Sequence, residues 1–164
     1  MEEWQLRLQA KNAQLLRTAL HDPLTGLANR AAFRSSISAL MNDNSARSSS
    51  ALLFLDGDNF KFINDTWGHA AGDRVLIEVA RRLAEFGGNR HIPYRLGGDE
   101  FAVVLYGVHS DYEVQRISAA LSQEFNRPFD LHNGHLVSMT LSMGYALTWE
   151  HASAEKLQEL AEDR

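Results

Sequence analysis

Ile92-Pro93-Tyr94-Arg95-Leu96-Gly97-Gly98-Asp99-Glu100-Phe101-Ala102-Val103-Val104-Leu105 holds two short apolar runs, Ile92 to Leu96 and Phe101 to Leu105, around Gly97-Gly98-Asp99-Glu100. Strand-like runs flanking paired glycines predict a β-hairpin that turns at the glycines and carries two carboxylates at its tip. Upstream, Ala51-Leu52-Leu53-Phe54-Leu55 is a continuous apolar run ending at Asp56, as expected of a strand buried on both faces. From Gly68 to Phe86, residues Val75, Leu76, Val79, Ala80 and Leu83 recur at helical spacing before Gly87-Gly88, which predicts a helix lying on the sheet. Helices over Asn29 to Met41 and Asp111 to Phe125 and a polar loop from Asn42 to Ser50 fill the spaces between. Strands at Phe129-Asp130-Leu131 and Leu136 to Leu147 flank the turn His132-Asn133-Gly134, and a last helix begins at Ser153. This order predicts an α+β domain, a sheet with a central hairpin and helices packed around it.

The 164 residues accommodate one compact domain and a short appendage. With 45% apolar and 23% charged residues, the composition is that of a globular domain rather than a disordered or fibrous chain. Sixteen Lys+Arg against twenty-one Asp+Glu leave a net charge of −5, so the basic footprint of a nucleic-acid binder is missing and no nucleic-acid partner is expected. The absence of cysteine excludes a disulfide scaffold, a thiolate zinc site and a cysteine nucleophile. Apolar runs fall far short of the ~20 residues of a membrane helix, and Met1-Glu2-Glu3 lacks a secretory profile. The expectation is a cytosolic chain, or the cytosolic part of something larger, with no membrane contact of its own. Residues 1–20 are helix formers with Leu6, Ala13, Leu16 and Leu20 near heptad spacing, interrupted by Gln9. They fit a parallel coiled-coil stalk or a lone helix packed on its own domain. His21-Asp22-Pro23 ends that helix, which divides the chain into a linker, 1–20, and a domain, 21–164.

Chemistry concentrates at the acidic tips. Asp56-Gly57-Asp58 and Asp99-Glu100 can meet at neighbouring strand ends as an oxygen-only site for a hard cation such as magnesium. The same residues also suit turns with no ligand at all. Asn64 and Asp73, nine residues apart around a helix start, pair an amide with a carboxylate, a combination that matches the hydrogen-bonding edge of guanine. As helix caps they would have no such role. His69 has no cysteine and no second histidine at ligand spacing, so it is not expected to bind metal. Trp4, Trp67 and Trp149 read as packing groups rather than a stacking platform for single-stranded nucleic acid.

Arg95-Leu96-Gly97-Gly98-Asp99-Glu100-Phe101 resembles the signature of the GGDEF family of diguanylate cyclases. Asp22-Pro23-Leu24-Thr25-Gly26-Leu27-Ala28-Asn29-Arg30 resembles its entry motif, Asp56 to Asp73 its metal-and-guanine segment, and Ser142-Met143-Gly144-Tyr145-Ala146 its late strand. The resemblance implies a palm-like mixed sheet of the nucleotidyl-cyclase, ferredoxin-like kind. It also implies condensation of two GTP into cyclic di-GMP with release of two pyrophosphates. Carried over by position, Asp56, Asp99 and the Gly57 carbonyl would bind Mg2+, with Mn2+ as a substitute. Glu100 would assist deprotonation of the ribose 3′-hydroxyl or complete the metal site, and Lys61 would contact phosphate. Asn64 and Asp73 would recognise guanine, Phe60 and Leu76 would line the base pocket, and Gly97 and Gly98 would let backbone approach the triphosphate. Each domain would hold one GTP, so a homodimer would be needed for catalysis, and residues 1–20 could serve as its stalk. The resemblance further implies a cytoplasmic domain of a protein tethered to the inner membrane.

Three departures modify these expectations. Gly88-Asn89-Arg90-His91 stands where many members carry an inhibitory Arg-x-x-Asp, so product inhibition through that site is not expected. Gly57 replaces a bulky apolar residue. The family continues past Leu160-Ala161-Glu162-Asp163-Arg164 into a phosphate-contacting helix, so the C-terminal helix is expected to be truncated and the activity of this chain reduced or lost. A non-catalytic GTP-binding regulatory module is the alternative function; the intact Asp56, Lys61, Asn64, Asp99 and Glu100 favour the enzyme. A template-directed polymerase palm is excluded by the short chain and by its charge.

Overall fold

The computed structural model describes residues 2–162. Met1, Asp163 and Arg164, the ends of the predicted linker and of the last predicted helix, lie outside the described residues. The elements are α1 (Glu3–Leu20), α2 (Arg30–Met41), α3 (Asn44–Arg47), β1 (Ser50–Gly57), α4 (Phe60–Trp67), α5 (His69–Gly87), β2 (His91–Gly97), β3 (Glu100–Tyr106), α6 (Asp111–Glu124), β4 (Phe129–Asp130), β5 (Leu136–Val137), β6 (Leu141–Leu147) and α7 (Ala154–Glu162).

β1, the predicted two-faced strand, lies inside a four-stranded sheet of order β2-β3-β1-β6. Its alternate side chains enter two separate cores, which is why the run is apolar without interruption. Leu53 and Leu55, with Phe101, Val103 and Leu105 of β3, pack against α5 and α6 through Val75, Val79, Leu83 and Leu121. On the other face, Leu52, Phe54, Ala102 and Val104 meet Phe33, Ile37 and Leu40 of α2 and Leu157 of α7. Phe33 stands edge-on to Phe54 and Tyr94, with ring centroids at 6.3 and 5.3 Å.

The sequence pointed to a mixed sheet, but all three ladders of the four-stranded sheet are antiparallel. The parallel component is the isolated bridge between Ala28 and Tyr94. Three local expectations also change. The polar stretch 42–50 contains the short helix α3, because the Asp43 carboxylate caps the backbone N–H groups of Ser45 and Ala46. A separate helix, α4, precedes α5, and Gly68, at φ +92°, breaks the two apart. The predicted strand 136–147 divides into β5 and β6, because the segment between them turns to bond Asp58, whose N–H donates to the Thr140 carbonyl at 3.0 Å.

α1 buries none of its residues, and Trp4 is 62% exposed, so Trp4 is not the packing group the sequence suggested. Among the described residues no helix is long and apolar enough to cross a membrane.

Candidate active site

The register of the sheet decides which residues meet. Asp56 lies opposite Glu100 of β3 on one side and Ser142 of β6 on the other, which brings the two predicted acidic tips to one end of the sheet. The Gly57 N–H donates to the Asp99 carbonyl at 3.3 Å. A Cβ on Gly57 would lie 3.3 Å from both Asp99 Oδ2 and Met139 Sδ, so the absent side chain leaves the Asp99 carboxylate room against the β1 backbone. Burial pushes the Asp99 carboxyl above its usual value, and the charges of Asp56 and Asp58 push it the same way. Asp58 is held below its usual value by hydrogen bonds from the Ser142 and Thr140 hydroxyls, the latter at 2.6 Å. Those bonds tie the loop after β1 to the start of β6.

Among the described residues no three His, Asp or Glu side chains converge as a ready-made metal cage. Two neighbouring carboxylates, Asp56 and Asp99, with the backbone carbonyl of Gly57 nevertheless fit magnesium, which takes few protein ligands and completes its shell with water and phosphate oxygens. Glu100 approaches the Arg30 guanidinium at 3.7 Å, and Arg30 Nε donates to the Leu96 carbonyl at 3.0 Å.

The hairpin tip is held by a group not singled out in the sequence. Arg95 Nη1 reaches both carboxylate oxygens of Asp22 at 3.0 Å, while its Nε and Nη2 donate to the Gly98 carbonyl at 3.2 and 2.9 Å. Gly97 and Gly98 both have positive φ, +150° and +49°, a path that side chains disfavour. Asp22 is in turn bonded by the Thr25 N–H and hydroxyl, both at 2.8 Å. Burial would raise the Asp22 carboxyl, but the Thr25 bonds and then Arg95 outweigh it and hold the group below its usual value. The Asp-Pro that ends α1 and the Arg two residues before Gly97 were visible as residues; their 73-residue separation hid the pairing.

The second part of the site lies between α4 and α5. Asn64 Oδ1 is buried and has no hydrogen-bond partner, so its side chain does not act as a helix cap. It occupies the space beside Gly72, where Phe60 also lies. Asp73 and Lys61 are exposed, free to meet a ligand, whereas Leu76 is only 3% exposed and belongs to the core. His69 opens α5 as an exposed residue.

Two acidic strand ends and a positive-φ Gly-Gly tip thus meet at one end of the sheet, a buried unpaired amide lies in α4, and the family description "Diguanylate cyclase, GGDEF domain" matches residues 19–164. The chain belongs to the GGDEF family. It is 80% identical over 162 residues to diguanylate cyclase DgcN of Escherichia coli, which covers 99% of this chain and 40% of DgcN. It is 44% identical over 153 residues to diguanylate cyclase TpbB of Pseudomonas aeruginosa, covering 93% of this chain and 35% of TpbB. The chain thus spans about two fifths of the curated relatives' length or less. The solved GGDEF domain of TpbB, also called YfiN, superposes with a TM-score of 0.81 at 42% identity, covering 87% of this chain and 84% of that one. The coiled coil and GGDEF domain of DgcB from Caulobacter crescentus, in complex with c-di-GMP, superposes with a TM-score of 0.82 at 28% identity over 96% of this chain and 84% of that one.

In this GGDEF domain the stretch 88–91 is occupied structurally. Arg90 Nη2 donates to the Gly107 carbonyl at 2.7 Å. His91 stacks on Phe86, and burial, with the Arg90 charge, lowers its pKa.

Proposed function

We propose that this GGDEF domain is the catalytic part of a diguanylate cyclase, joining two GTP into cyclic di-GMP and releasing two pyrophosphates. The observation that carries the reading is the register that sets Asp56 opposite Glu100, with Asp99 against Gly57. It supports one cation-binding edge built from two strands that are 40 or more residues apart in sequence.

In this reading Asp56, Asp99 and the Gly57 carbonyl hold Mg2+, or Mn2+ in its place. Bound there, the metal would supply charge neutralisation for the triphosphate and acidity for the attacking hydroxyl. Glu100, beside Arg30, accepts the proton of the ribose 3′-hydroxyl. Lys61 offsets charge on the phosphates. Gly97 and Gly98 let the hairpin backbone approach the triphosphate, with Arg95 fixing their conformation. Asn64 and Asp73 read guanine, and Phe60 lines the base. The product contains two nucleotides and each domain holds one, so a second copy must face the first for in-line attack. The fully exposed α1, with Trp4, Leu8, Leu15 and Leu16 uncovered, supports a role as the stalk that pairs the copies. In the whole protein this domain would work on the cytoplasmic side of a membrane-tethered assembly.

Incubation with GTP and magnesium, with cyclic di-GMP and pyrophosphate measured, tests the proposal. Turnover below that of a whole cyclase is expected in a dimeric preparation and is expected to disappear in Asp99→Asn. A whole protein that binds GTP and dimerises yet yields no product would establish the regulatory-module reading instead.

A further inference from the structure

We propose that Gly72 is a positioning residue for guanine recognition, because the volume its side chain would fill is taken by the Asn64 amide. The inference rests on the reading of Asn64 given above. A Cβ at Gly72 would overlap Asn64 Oδ1 outright and lie 2.9 Å from Asn64 Cγ and 3.3 Å from Phe60 Cε2.

Backbone conformation does not explain the glycine. Gly72 sits within α5 and is not among the positive-φ residues. Alanine would therefore fit the backbone conformation and would be the better helix former. Space is the remaining physical reason, and the atom that most fully occupies it is Asn64 Oδ1. That atom is the oxygen left buried and unpaired, a costly state that a ligand N–H would relieve. Guanine offers such donors at N1–H and its 2-amino group, whereas adenine has an acceptor at N1 and no amino group at C2.

The geometry also says what gives way on substitution. Asn64 Oδ1 is the far end of a short side chain that can rotate, while the helical backbone around Gly72 is held by its own hydrogen bonds. Gly72→Ala therefore displaces the amide and spares the fold. The loss is confined to base recognition.

The test compares wild type, Gly72→Ala, Asn64→Ala and the double variant, titrated with GDP and with ADP by NMR, which reads millimolar affinities, alongside thermal melting. GDP and ADP present the bases without the pyrophosphate leaving group. Gly72→Ala is expected to melt at or above the wild-type temperature, to bind GDP roughly tenfold or more weakly, and to bind ADP as wild type does. The double variant is expected to bind GDP no more weakly than Asn64→Ala, because both changes remove the same interaction. Wild-type GDP affinity in Gly72→Ala, a fully additive loss in the double variant, or a lowered melting temperature in Gly72→Ala would each overturn the role of Gly72. Absence of a GDP preference in wild type, or an Asn64→Ala variant that binds GDP normally, would instead overturn the guanine reading itself.

Discussion

Replacing Arg95 by alanine removes a side chain that joins Asp22, just after α1, to the Gly-Gly tip. Arg95 and Asp22 side chains are only 14% and 16% exposed, so their attraction is screened far less than that of a surface pair. The substitution deletes a charge-assisted bond, worth about 1.5–3 kcal/mol, and the bonds to the Gly98 carbonyl, worth about 1 kcal/mol. Asp22 keeps both Thr25 donors and is not left unsatisfied, so the total is about 3 kcal/mol. For a chain of 164 residues that lowers the melting temperature by roughly 6–12 °C. Asp22 has a folded-state pKa below its usual 3.8, so its stabilisation is complete above that pH and is lost as pH falls through the folded value. The gap between wild type and Arg95→Ala should therefore be widest near neutrality and should narrow in acid. Thermal melts by circular dichroism between pH 3 and 7 measure it, and Asp22→Ala with the double variant isolates a coupling of about 1–2 kcal/mol. An Arg95→Ala protein melting within about 2 °C of wild type at neutral pH would refute the reasoning. On the proposed activity, turnover should fall more than GDP affinity, because the tip carries Asp99 and not the base-reading residues.

Arg82 is 4% exposed at its side chain and bonds Glu78, the carbonyls of Glu124, Arg127 and Pro128, and the face of Phe129 at 4.1 Å. Arg82→Met keeps the stem but deletes every donor, so a loss of about 3–4 kcal/mol in urea unfolding is expected, with GDP affinity unchanged; a loss under about 1 kcal/mol would contradict the clamp. Joint replacement of Thr140 by valine and Ser142 by alanine removes the hydroxyls that depress Asp58. The Asp58 carboxyl should then titrate at higher pH by NMR, and an unchanged titration would show that those bonds are not what holds it down.

Most of the architecture could be read before folding was considered. The unbroken apolar run of β1 announces burial on two faces, because alternate side chains must enter different cores. Gly97-Gly98 between apolar runs announces a hairpin, because the path needs positive φ. The acidic tips were equally legible, since carboxylates ending apolar strands stand out locally. What escaped notice was relational. α4 was hidden because its eight residues are too few for a periodic signal, and Gly68 breaks it from α5. Leu76, whose helical spacing already marks it as a core position, is buried in the core. The pairing of Arg95 with Asp22 leaves no trace at either position alone.

The chain by itself determined the strand that must be buried on both faces, the turn that must be glycine, and the residue types available for cation and guanine. Those depend on local sterics and on the free energy of removing apolar surface from water, which neighbouring residues express directly. Only the tertiary structure decided that Asp56 meets Glu100, that Arg95 spans from Asp22 to Gly98, and that Asn64 fills the place of a missing Cβ on Gly72. Each of these depends on strand register or helix packing, where a shift of one residue would turn the same side chains to opposite faces.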